Sequence, residues 1–372
     1  MVDWGRDTLI CARGLLAAGM TDEVREILRV FGHFEEEGTL PNTIHGSNAS
    51  NRDTSDAQLW YGVVCEDFAA AEGDDIYDFS VGDRKVRDVL QSIAAHTISG
   101  TPNGIKMDAE SGLVWSPSHF TWMDTNHPAG TPREGYPIEI QALWIRLLRL
   151  LDRLGVKPAT EAWQDLAALA EKSLSELFWV TEKSWLGDCL MAMDSGIGAR
   201  SATLDQALRS NCLLAVSLGL VKGERAQKTV MAAQRHLVVP GALRSLAPLP
   251  VEPPLPIKSA DGRLLNNPER PYWGRYEGDE DTKRKPAYHN GTAWTWPFPV
   301  FCEALMQAWE DSEAAKITAK TYLASMEHIL LAGCVNQIPE VIDGDAPHKQ
   351  RGCDAQAWGA TEALRVWKKV KG

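Results

Sequence analysis

Six polar segments rich in aromatic and carboxylate side chains lie along this 372-residue chain, each just before the start of a predicted helix. They are WGRDT (Trp4 to Thr8), SNRDTSD (Ser50 to Asp56), SPSHFTWMDTNHPAGTPREGYP (Ser116 to Pro137), GARSATLDQ (Gly198 to Gln206), AYHNGTAWTWP (Ala287 to Pro297) and PEVIDGD with GCDAQAW (Pro339 to Trp358). A plainer helix separates each segment from the next. If alternate helices form an inner ring, the six segments meet at one end of it. The resulting pocket of Trp, Arg and carboxylate groups is typical of a site that cleaves sugars, because indole rings stack on apolar C–H faces.

Cleavage of a glycosidic bond needs two carboxyl groups, one of which protonates the leaving oxygen. Asp124 is the best candidate for this acid, because Phe120 and Trp122 beside it can desolvate the carboxyl group and favour its protonated form. A structural role is the alternative, since an Asp that precedes Asn126 to Pro128 commonly caps a turn.

Glu340 is the best candidate for the base, since it follows Pro339 in a polar loop whose other acids help to keep one carboxylate solvated and ionised. Asp124 and Glu340 are 216 positions apart (340 − 124), so they meet only if the chain closes on itself. The acids that compete for these roles are Glu134, Glu139, Asp343 and Asp354. Glu134 follows Arg133 directly, and an acid neutralised by an ion pair is a poor proton donor. We therefore assign Arg133 and Glu134 to substrate contact.

Two Arg-Asp pairs have the composition of clamps for sugar hydroxyls. In Arg6–Asp7 and Arg52–Asp53, the Asp would accept from two vicinal hydroxyls while the adjacent Arg holds the carboxylate still. The alternative is a salt bridge that ties a loop to a helix N-terminus.

Several other polar and aromatic residues are candidates for sugar contacts. The candidates for stacking are Trp4, Trp115, Trp122, Trp273, Trp294 and Trp296. His119, His289 and Asn290 are candidates for hydroxyl contacts, and Gly291 would allow a close approach of backbone to sugar. The sequence shows no metal-ligand set, phosphate-binding Gly loop or Ser-His-Asp arrangement. We therefore expect hydrolysis by carboxylates without a cofactor or metal.

Helical periodicity dominates the elements that must position these residues. It predicts helices at about 8–19, 22–36, 54–72, 83–98, 136–154, 160–178, 204–219, 223–236, 289–310, 313–331 and 354–369. They alternate strictly between helices that follow a polar segment and helices that do not. This pattern predicts an all-α fold, an (α/α)6 toroid over residues 1–372 as one domain, with six inner and about five outer helices. The first outer helix would lie upstream of Trp4, so we expect an upstream N-terminal segment or self-association.

Strand signals are few. Short hairpins are expected at Gly112–Trp115 and between Trp179–Val180 and Trp185–Leu186. The segment 240–285 is rich in Pro, Gly and charge, and an irregular stretch of that length inside a compact domain is usually functional. We expect it to form a lid or rim of the pocket, with a disordered linker between two domains as the alternative.

Composition excludes several partners. The net charge is −12 and no run of basic residues occurs, which argues against nucleic acid. No apolar run approaches the roughly 18 residues of a membrane span, and no signal peptide precedes the first segment. The seven cysteines are scattered without a CxxC pair, as small buried hydrophobes are. A cytoplasmic setting is therefore expected.

The polar segments, in their order, resemble the C-terminal amylo-α-1,6-glucosidase domain of glycogen debranching enzymes, which belongs to the (α/α)6-barrel glycosidases. The resemblance rests on WGRDT, SNRDTSD, HFTWMDT, TPREGYPIEIQALW, HNGTAWTWP and PE…DGD…P…GC…QAW, from Trp4 to about Trp367. It implies an inverting glucosidase with Asp124 as the acid and Glu340 as the base. It also implies contact of Arg6 and Asp7 with the non-reducing glucose.

This resemblance makes release of glucose from α-1,6 branch stubs of glycogen or limit dextrin the leading functional hypothesis. Another α-glucosidase of the same fold that acts on small oligosaccharides remains an alternative. A sugar phosphorylase is less favoured, because the sequence contains no obvious phosphate site. A catalytically silent glucan-binding protein is the alternative from another class, although the chain keeps both candidate carboxylates.

Overall fold

A computed structural model describes residues 2–125, 131–158 and 161–371. The chain folds as two compact units. The first comprises residues 1–122, 133–177 and 190–203, and the second comprises residues 123–132, 178–189 and 204–372. Part of the third polar segment, 126–130, lies outside the described residues, and so does the turn that the sequence places after Asp124.

The helices of the first unit are α1 (Gly5–Ala18), α2 (Thr21–His33), α3 (Ala57–Glu72), α4 (Val86–Ser99), α5 (Ile138–Arg153) and α6 (Trp163–Leu177). The α3 helix is buried without interruption from Ala57 to Cys65 and packs against both α1 and α5. A helix that is apolar on all sides must be enclosed by others. In contrast, α2, α4 and α6 each bury one face, as outer helices do.

The helices of the second unit are α7 (Cys212–Ser217), α8 (Gly223–His236), α9 (Lys285–Tyr288), α10 (Pro297–Ala308), α11 (Glu313–Ala324), α12 (Glu327–Leu330) and α13 (Ala357–Lys371). The central helix is α10, which is buried from Pro297 to Met306 and packs against α7, α8, α11 and α13. The most enclosed helices, α3 and α5 in the first unit and α7 and α10 in the second, all follow polar segments, whereas α13 also follows one but buries only one face.

Short strands accompany the helices. They are β1 (Val2–Trp4), β2 (Thr43–His45), β3 (Ser80–Val81), β4 (Arg84–Lys85), β5 (Lys106–Met107), β6 (Val114–Trp115), β7 (Gly135–Pro137), β8 (Trp179–Val180), β9 (Trp185–Leu186), β10 (Cys189–Met191), β11 (Thr203–Asp205), β12 (Val238–Val239), β13 (Ala242–Arg244), β14 (Ala293–Trp294), β15 (Val341–Ile342) and β16 (Gln350–Arg351). The strands β12-β13-β14-β15-β16 form one antiparallel sheet in that order.

The expected all-α composition is therefore wrong in detail, although helices dominate. Strands of two or three residues are too short to show the alternation of apolar and polar side chains that identifies a strand in sequence. The expected hairpin between Trp179–Val180 and Trp185–Leu186 is confirmed as β8 and β9. At 112–115, only β6 is a strand, and it pairs with β5.

Three predicted helices are shorter than expected. Residues 204–211 are not helical, and Asp205 accepts a hydrogen bond from the Ala207 backbone N–H, as in an Asx turn. Residues 289–296 contain β14, and α10 begins only at Pro297, a residue suited to the first helical position. The predicted helix at 313–331 is divided into α11 and α12.

The long segment 240–285 is largely irregular but ordered. It contains β13, and from Val251 onward the chain folds back on itself through backbone hydrogen bonds between Val251 and Glu269, Leu255 and Pro268, and Leu265 and Ile257. These bonds hold the segment from Val251 to Glu269 against itself.

Candidate active site

Glu340 lies immediately before β15, and its main chain is fixed on both sides. Its N–H donates to the Cys353 carbonyl (2.8 Å), and its carbonyl accepts from the Thr295 N–H (3.3 Å). The antiparallel pairing of β14 with β15 sets Ala293 opposite Ile342 and Trp294 opposite Val341. This sheet therefore determines where the Glu340 carboxylate stands.

Three donors surround the carboxylate of Glu340. The Tyr288 hydroxyl donates to Oε1 (2.6 Å), the Gln356 amide Nε2 donates to Oε1 (3.4 Å), and the Cys353 N–H donates to Oε2 (3.1 Å). These donors fix the positions of both carboxylate oxygens. Gly352 passes close by, so a Cβ at its position would stand 2.4 Å from Oε2.

Aromatic rings form the surroundings of this carboxylate. Tyr288 packs against Tyr276 (centroids 5.0 Å apart) and Trp294 (4.6 Å), and Trp294 meets Trp358 edge to face (5.9 Å). Burial, the charge of Glu340 and, more weakly, that of Asp124 raise the pKa of Tyr288 well above its ordinary value. The Tyr288 phenol is therefore a permanent donor, and both candidate carboxylates act on it electrostatically.

Asp124 is half-buried and follows Met123, whose side chain is fully buried. On the other side, the Thr125 hydroxyl forms a 3.0 Å hydrogen bond with Nδ1 of His289. The sequence-predicted acid and base therefore belong to the same unit, and the charges of both act on the Tyr288 phenol.

The other acids near Glu340 in sequence, Asp343, Asp345 and Asp354, have different surroundings from those of Glu340. Asp343 is buried and pairs with Arg351 (3.1 Å), while its Oδ1 also accepts from the Tyr276 N–H. Asp345 accepts from the Tyr272 hydroxyl (2.8 Å). Asp354 is exposed. Asp343 has donors of its own, but its charge is paired with the Arg351 guanidinium.

Four of the five residues of the second unit predicted to contact sugar are nearly inaccessible, and one of them is His289, which is 1% exposed. Asn290 is 1% exposed, and its amide accepts from Arg209 and donates to the Pro286 carbonyl. Trp294 and Trp296 are each 2% exposed. These buried residues support the site from the interior of the unit. The half-buried side chain of Trp273 remains partly accessible to solvent.

Gly291 does not have the expected role. A Cβ there would stand 2.7 Å from the Trp273 main chain, and its φ of +145° is a conformation that other residues rarely adopt. Gly291 thus allows the Trp273 backbone, rather than a sugar, to approach. The Asn290 carbonyl accepts from the Trp273 N–H (2.7 Å). In this way the end of the 240–285 segment is fixed beside His289.

In the first unit, the WGRDT segment forms the end of β1 and the start of α1. Trp4 is 45% exposed and pairs with Thr43 across β1 and β2. Arg6 is buried, and its Nε donates to the carboxylate of Asp56 (2.6 Å). Asp7 is half-buried. The ion pair of Arg6 with Asp56 joins the first polar segment to the second.

The Arg52–Asp53 pair does not form a clamp of the predicted kind. The Arg52 guanidinium donates to the carbonyls of Phe34 and Thr39 and lies 3.4 Å from Glu36. It therefore ties the loop to the residues after α2. Asp53 is exposed. The chain turns here, since the Thr54 N–H donates to the Arg52 carbonyl (2.8 Å).

The expected ion pair of Arg133 with Glu134 is wrong as well. Arg133 makes a buried bidentate pair with Glu139 at 2.6 Å for both hydrogen bonds, which also removes Glu139 from the competing acids. Among the described residues, no ion pair joins Arg133 to Glu134. Burial, and then the nearby charge of Asp194, raise the pKa of Glu134.

The remaining candidates of the first unit are two Trp and one His. Trp115 and Trp122 are 8% and 3% exposed, and the indole of Trp115 donates to the Ala192 carbonyl. His119 is half-buried with a φ of +63°, and burial lowers its pKa. His119 is therefore the most accessible of the three.

Sequence reasoning missed Tyr288, Gln356 and Gly352. Tyr288 lies within the AYHNGTAWTWP segment, and Gly352 and Gln356 lie within the last one. All three residues therefore lie in segments that the sequence had already marked as polar and functional. Their partnership with Glu340 depends on the β14–β15–β16 sheet, which the sequence did not reveal.

Within residues 2–125, 131–158 and 161–371, no cluster of three or more His, Cys, Asp or Glu side chains is arranged to hold a metal ion. In that same part of the chain, no helix combines the length and apolar character that crossing a membrane requires.

Comparison with known families identifies one family model, described as amylo-alpha-1,6-glucosidase, that matches residues 1–252 and 261–365. The glycogen debranching enzyme of Saccharomyces cerevisiae is 23% identical over 383 residues, which cover 81% of this chain and 24% of the yeast protein.

Two solved structures from Thermus thermophilus resemble the chain over nearly its whole length. An uncharacterized conserved protein has a TM-score of 0.65 at 14% identity, with 98% of this chain and 92% of the other covered. A GH63 mannosylglycerate hydrolase in complex with glucose has a TM-score of 0.61 at 12% identity, with 98% and 93% covered. The chain therefore shares the fold of these proteins.

Proposed function

The chain belongs to the amylo-alpha-1,6-glucosidase family and is a glycoside hydrolase; on that premise we propose that it releases glucose from α-1,6 branch stubs of glycogen or limit dextrin. The observation that carries the proposal is the carboxylate of Glu340, held by Tyr288, Gln356 and the Cys353 N–H in the same unit as Asp124. The chain spans about a quarter of the yeast debranching enzyme, so that enzyme's activity is only a guide.

In the proposed mechanism, Glu340 is the general base. Its three donors hold the carboxylate in place, where it can accept a proton from the attacking water. The Tyr288 phenol remains protonated, since burial and two carboxylates oppose its ionisation. Tyr288 can therefore orient the carboxylate without competing for the proton of the water.

Asp124 is the proposed general acid. Proton transfer to the leaving glycosidic oxygen by Asp124 allows the bond to break as water attacks the opposite face of the sugar. The proton of the attacking water passes to Glu340. The proton of Asp124 passes to the departing glycosidic oxygen, which leaves as a hydroxyl. Neither step needs a metal or another cofactor.

Sugar binding is proposed for the accessible groups at the ends of the polar segments. In the first unit, Trp4, Asp7, Asp53 and His119 are partly or fully exposed and can meet a substrate directly, and Arg6, Arg52 and Arg133 support their surroundings through ion pairs and hydrogen bonds. In the second unit, the accessible candidate is Trp273. The deeply buried candidates are Trp115, Trp122 and Glu139 in the first unit and Asn290, Trp294 and Trp296 in the second, and they support these groups from within each unit.

We further propose an (α/α)6 barrel with six inner and about five outer helices, with segment 240–285 at the rim of the pocket. The shared fold with glycosidases supports the barrel. The contacts of Trp273 with Asn290 and of Tyr276 with Asp343 support the position of the rim. All seven cysteines carry free thiols, which supports the proposed cytoplasmic setting.

A second candidate is an α-glucosidase that acts on small oligosaccharides. The likeness to a structure described as a mannosylglycerate hydrolase in complex with glucose favours it. A silent glucan-binding protein is a third.

One assay separates these functions. The chain is incubated with branched limit dextrin, isomaltose and a linear α-1,4 oligosaccharide, and released glucose is measured. Preference for the limit dextrin supports debranching, whereas preference for isomaltose supports the second candidate. The Asp124→Asn variant is the control: we expect at least about a 10²-fold loss of kcat with binding retained. Binding without release of glucose by the unaltered chain would leave only the silent protein.

A further inference from the structure

Side chains hold the segment around Asp124 on both sides. Before Asp124, the thioether sulfur of the buried Met123 accepts from the Asn211 amide Nδ2 at 3.5 Å. After Asp124, the Thr125 hydroxyl bonds with Nδ1 of His289 at 3.0 Å. The carboxylate therefore sits on a short stretch of chain with one fixed point on either side.

Both fixed points are connected through one buried network. The Arg209 guanidinium donates to the His289 carbonyl (2.5 Å) and lies 3.5 Å from the carboxylate of Asp188. Asp188 in turn accepts from Asn211 Nδ2 (2.8 Å). Arg209, Asp188, His289 and Asn211 are each at most 2% exposed. Such a network resists movement, because any displaced polar group would lose a partner in a place without water.

The ring of His289 is also held by stacking. It lies on Trp294 with centroids 5.3 Å apart and an interplanar angle of 15°. The Trp294 indole donates to the carbonyl of Tyr288, the residue whose hydroxyl binds Glu340. Residues 288 and 289 are adjacent, so one stretch of chain contacts the base through Tyr288 and the acid segment through His289.

We propose that His289 is a positioning residue for the general acid and acts through its hydrogen bond to Thr125. The inference rests on the proposed function, in which Asp124 is the acid. Proton transfer depends on the distance between donor and acceptor, so a displacement of about 1 Å costs on the order of 10²-fold in rate. A hydrogen bond one residue from the carboxylate is well placed to prevent such a displacement.

The diagnostic measurement compares two leaving groups. A branched glucan expels an alcohol, which must be protonated as it leaves, so its hydrolysis needs a correctly placed acid. α-Glucosyl fluoride expels fluoride, which needs little protonation. A defect in acid positioning should therefore lower kcat for the glucan much more than for the fluoride, whereas general damage to the pocket should lower both.

The variants separate the hydrogen bond from the packing. His289→Phe keeps a ring against Trp294 and removes Nδ1, whereas His289→Asn keeps a hydrogen-bonding atom near that position and removes the ring. Thr125→Val removes the hydroxyl at nearly constant shape. A matched control is Thr321→Val. It removes a hydroxyl that donates to the Ile317 carbonyl at an exposed position of α11.

We expect His289→Phe and Thr125→Val to lower kcat for limit dextrin at least about 10-fold and kcat for the fluoride less than about threefold. His289→Asn should recover most of the glucan activity, and the double variant His289→Phe/Thr125→Val should be no worse than either single one. Equal losses on both substrates, or no loss from Thr125→Val, would overturn the proposal. If His289→Phe fails to fold, Thr125→Val still decides the question.

Failure of the proposed function has a different signature. Asp124→Asn must itself show the strongest selective loss on limit dextrin. If Asp124→Asn affects both substrates equally, Asp124 is not the acid, whatever the His289 variants do. If Asp124→Asn is selective and Thr125→Val is unchanged, only the positioning role of His289 is wrong.

Discussion

The hydroxyl of Tyr288 donates a 2.6 Å hydrogen bond to Oε1 of Glu340. The carboxylate is oriented by this bond, and the phenol stays protonated because burial and negative charge raise its pKa. Tyr276 stands behind the pair, and the charge of Glu340 also contributes to raising the pKa of Tyr276, after burial. A base candidate and its donor, 52 positions apart in sequence, thus come from two different polar segments.

Tyr288→Phe removes this donor with little change in shape. A hydrogen bond to a charged group is worth about 1.5–3 kcal/mol, which corresponds to about a 10- to 10²-fold decrease in kcat. The measurement is steady-state hydrolysis of limit dextrin, with thermal unfolding as the control for folding. A variant with kcat within twofold of the parent would contradict the role of Tyr288.

Gly352→Ala tests how tightly the Glu340 carboxylate is enclosed. The added Cβ would stand 2.4 Å from Oε2, so the carboxylate must move, and we expect kcat to fall at least about 10-fold. The positive φ of +66° adds a stability cost of about 1–2 kcal/mol.

Gly155→Ala is the matched control, because Gly155 has a φ of +62° and nothing within 4 Å of an added Cβ. It should lose similar stability and keep its activity. If both variants lose the same activity, backbone strain rather than contact with Glu340 is responsible.

The helices could be predicted where their apolar periodicity is long and strong, as in α2 and α5. The β14–β15 pairing could not, since each strand has two residues and their pairing depends on packing far along the chain. Glu340 was identifiable from its polar loop. Its donors were not, because the sheet that brings Tyr288 to it was not visible in the sequence.

The pairings of the arginines failed for a related reason. Arg52 and Arg133 were paired with the acids beside them in sequence, but each binds groups several residues away. Arg133 has a φ of +48° and the chain turns after Arg52, so the direction of each side chain depends on local backbone that the sequence pattern does not reveal.

Arg52 and Asp53 should respond differently to substitution. Arg52→Met removes donors to the carbonyls of Phe34 and Thr39, so we expect a loss of about 1–3 kcal/mol in the free energy of unfolding. Asp53→Asn should leave thermal stability unchanged and raise KM for limit dextrin, because the exposed Asp53 is a proposed sugar contact. Denaturant titration and steady-state kinetics on both variants check this. If Arg52→Met keeps its stability but raises KM for limit dextrin, the predicted sugar-binding role of the Arg52–Asp53 pair is supported after all.

The lowered pKa of His119 predicts that the stability of the fold depends on pH. Burial lowers its pKa below the ordinary value of 6.5, so the unfolded chain takes up a proton more readily than the folded one. Stability is therefore lost as pH falls through 6.5 toward the lowered value. His119→Asn removes this contribution and tolerates the φ of +63°. Melting temperatures of both proteins from about pH 7.5 to about pH 5 test the point. Parallel curves would show that His119 contributes nothing.

The anomer of the first product tests the chemistry itself. If Glu340 activates water on the face opposite the Asp124-protonated oxygen, hydrolysis of an α-1,6 bond gives β-glucose first. Proton NMR within the first minutes, before mutarotation, distinguishes the two anomers. Early α-glucose would mean that a carboxylate attacks the sugar, and the base assignment would then fall.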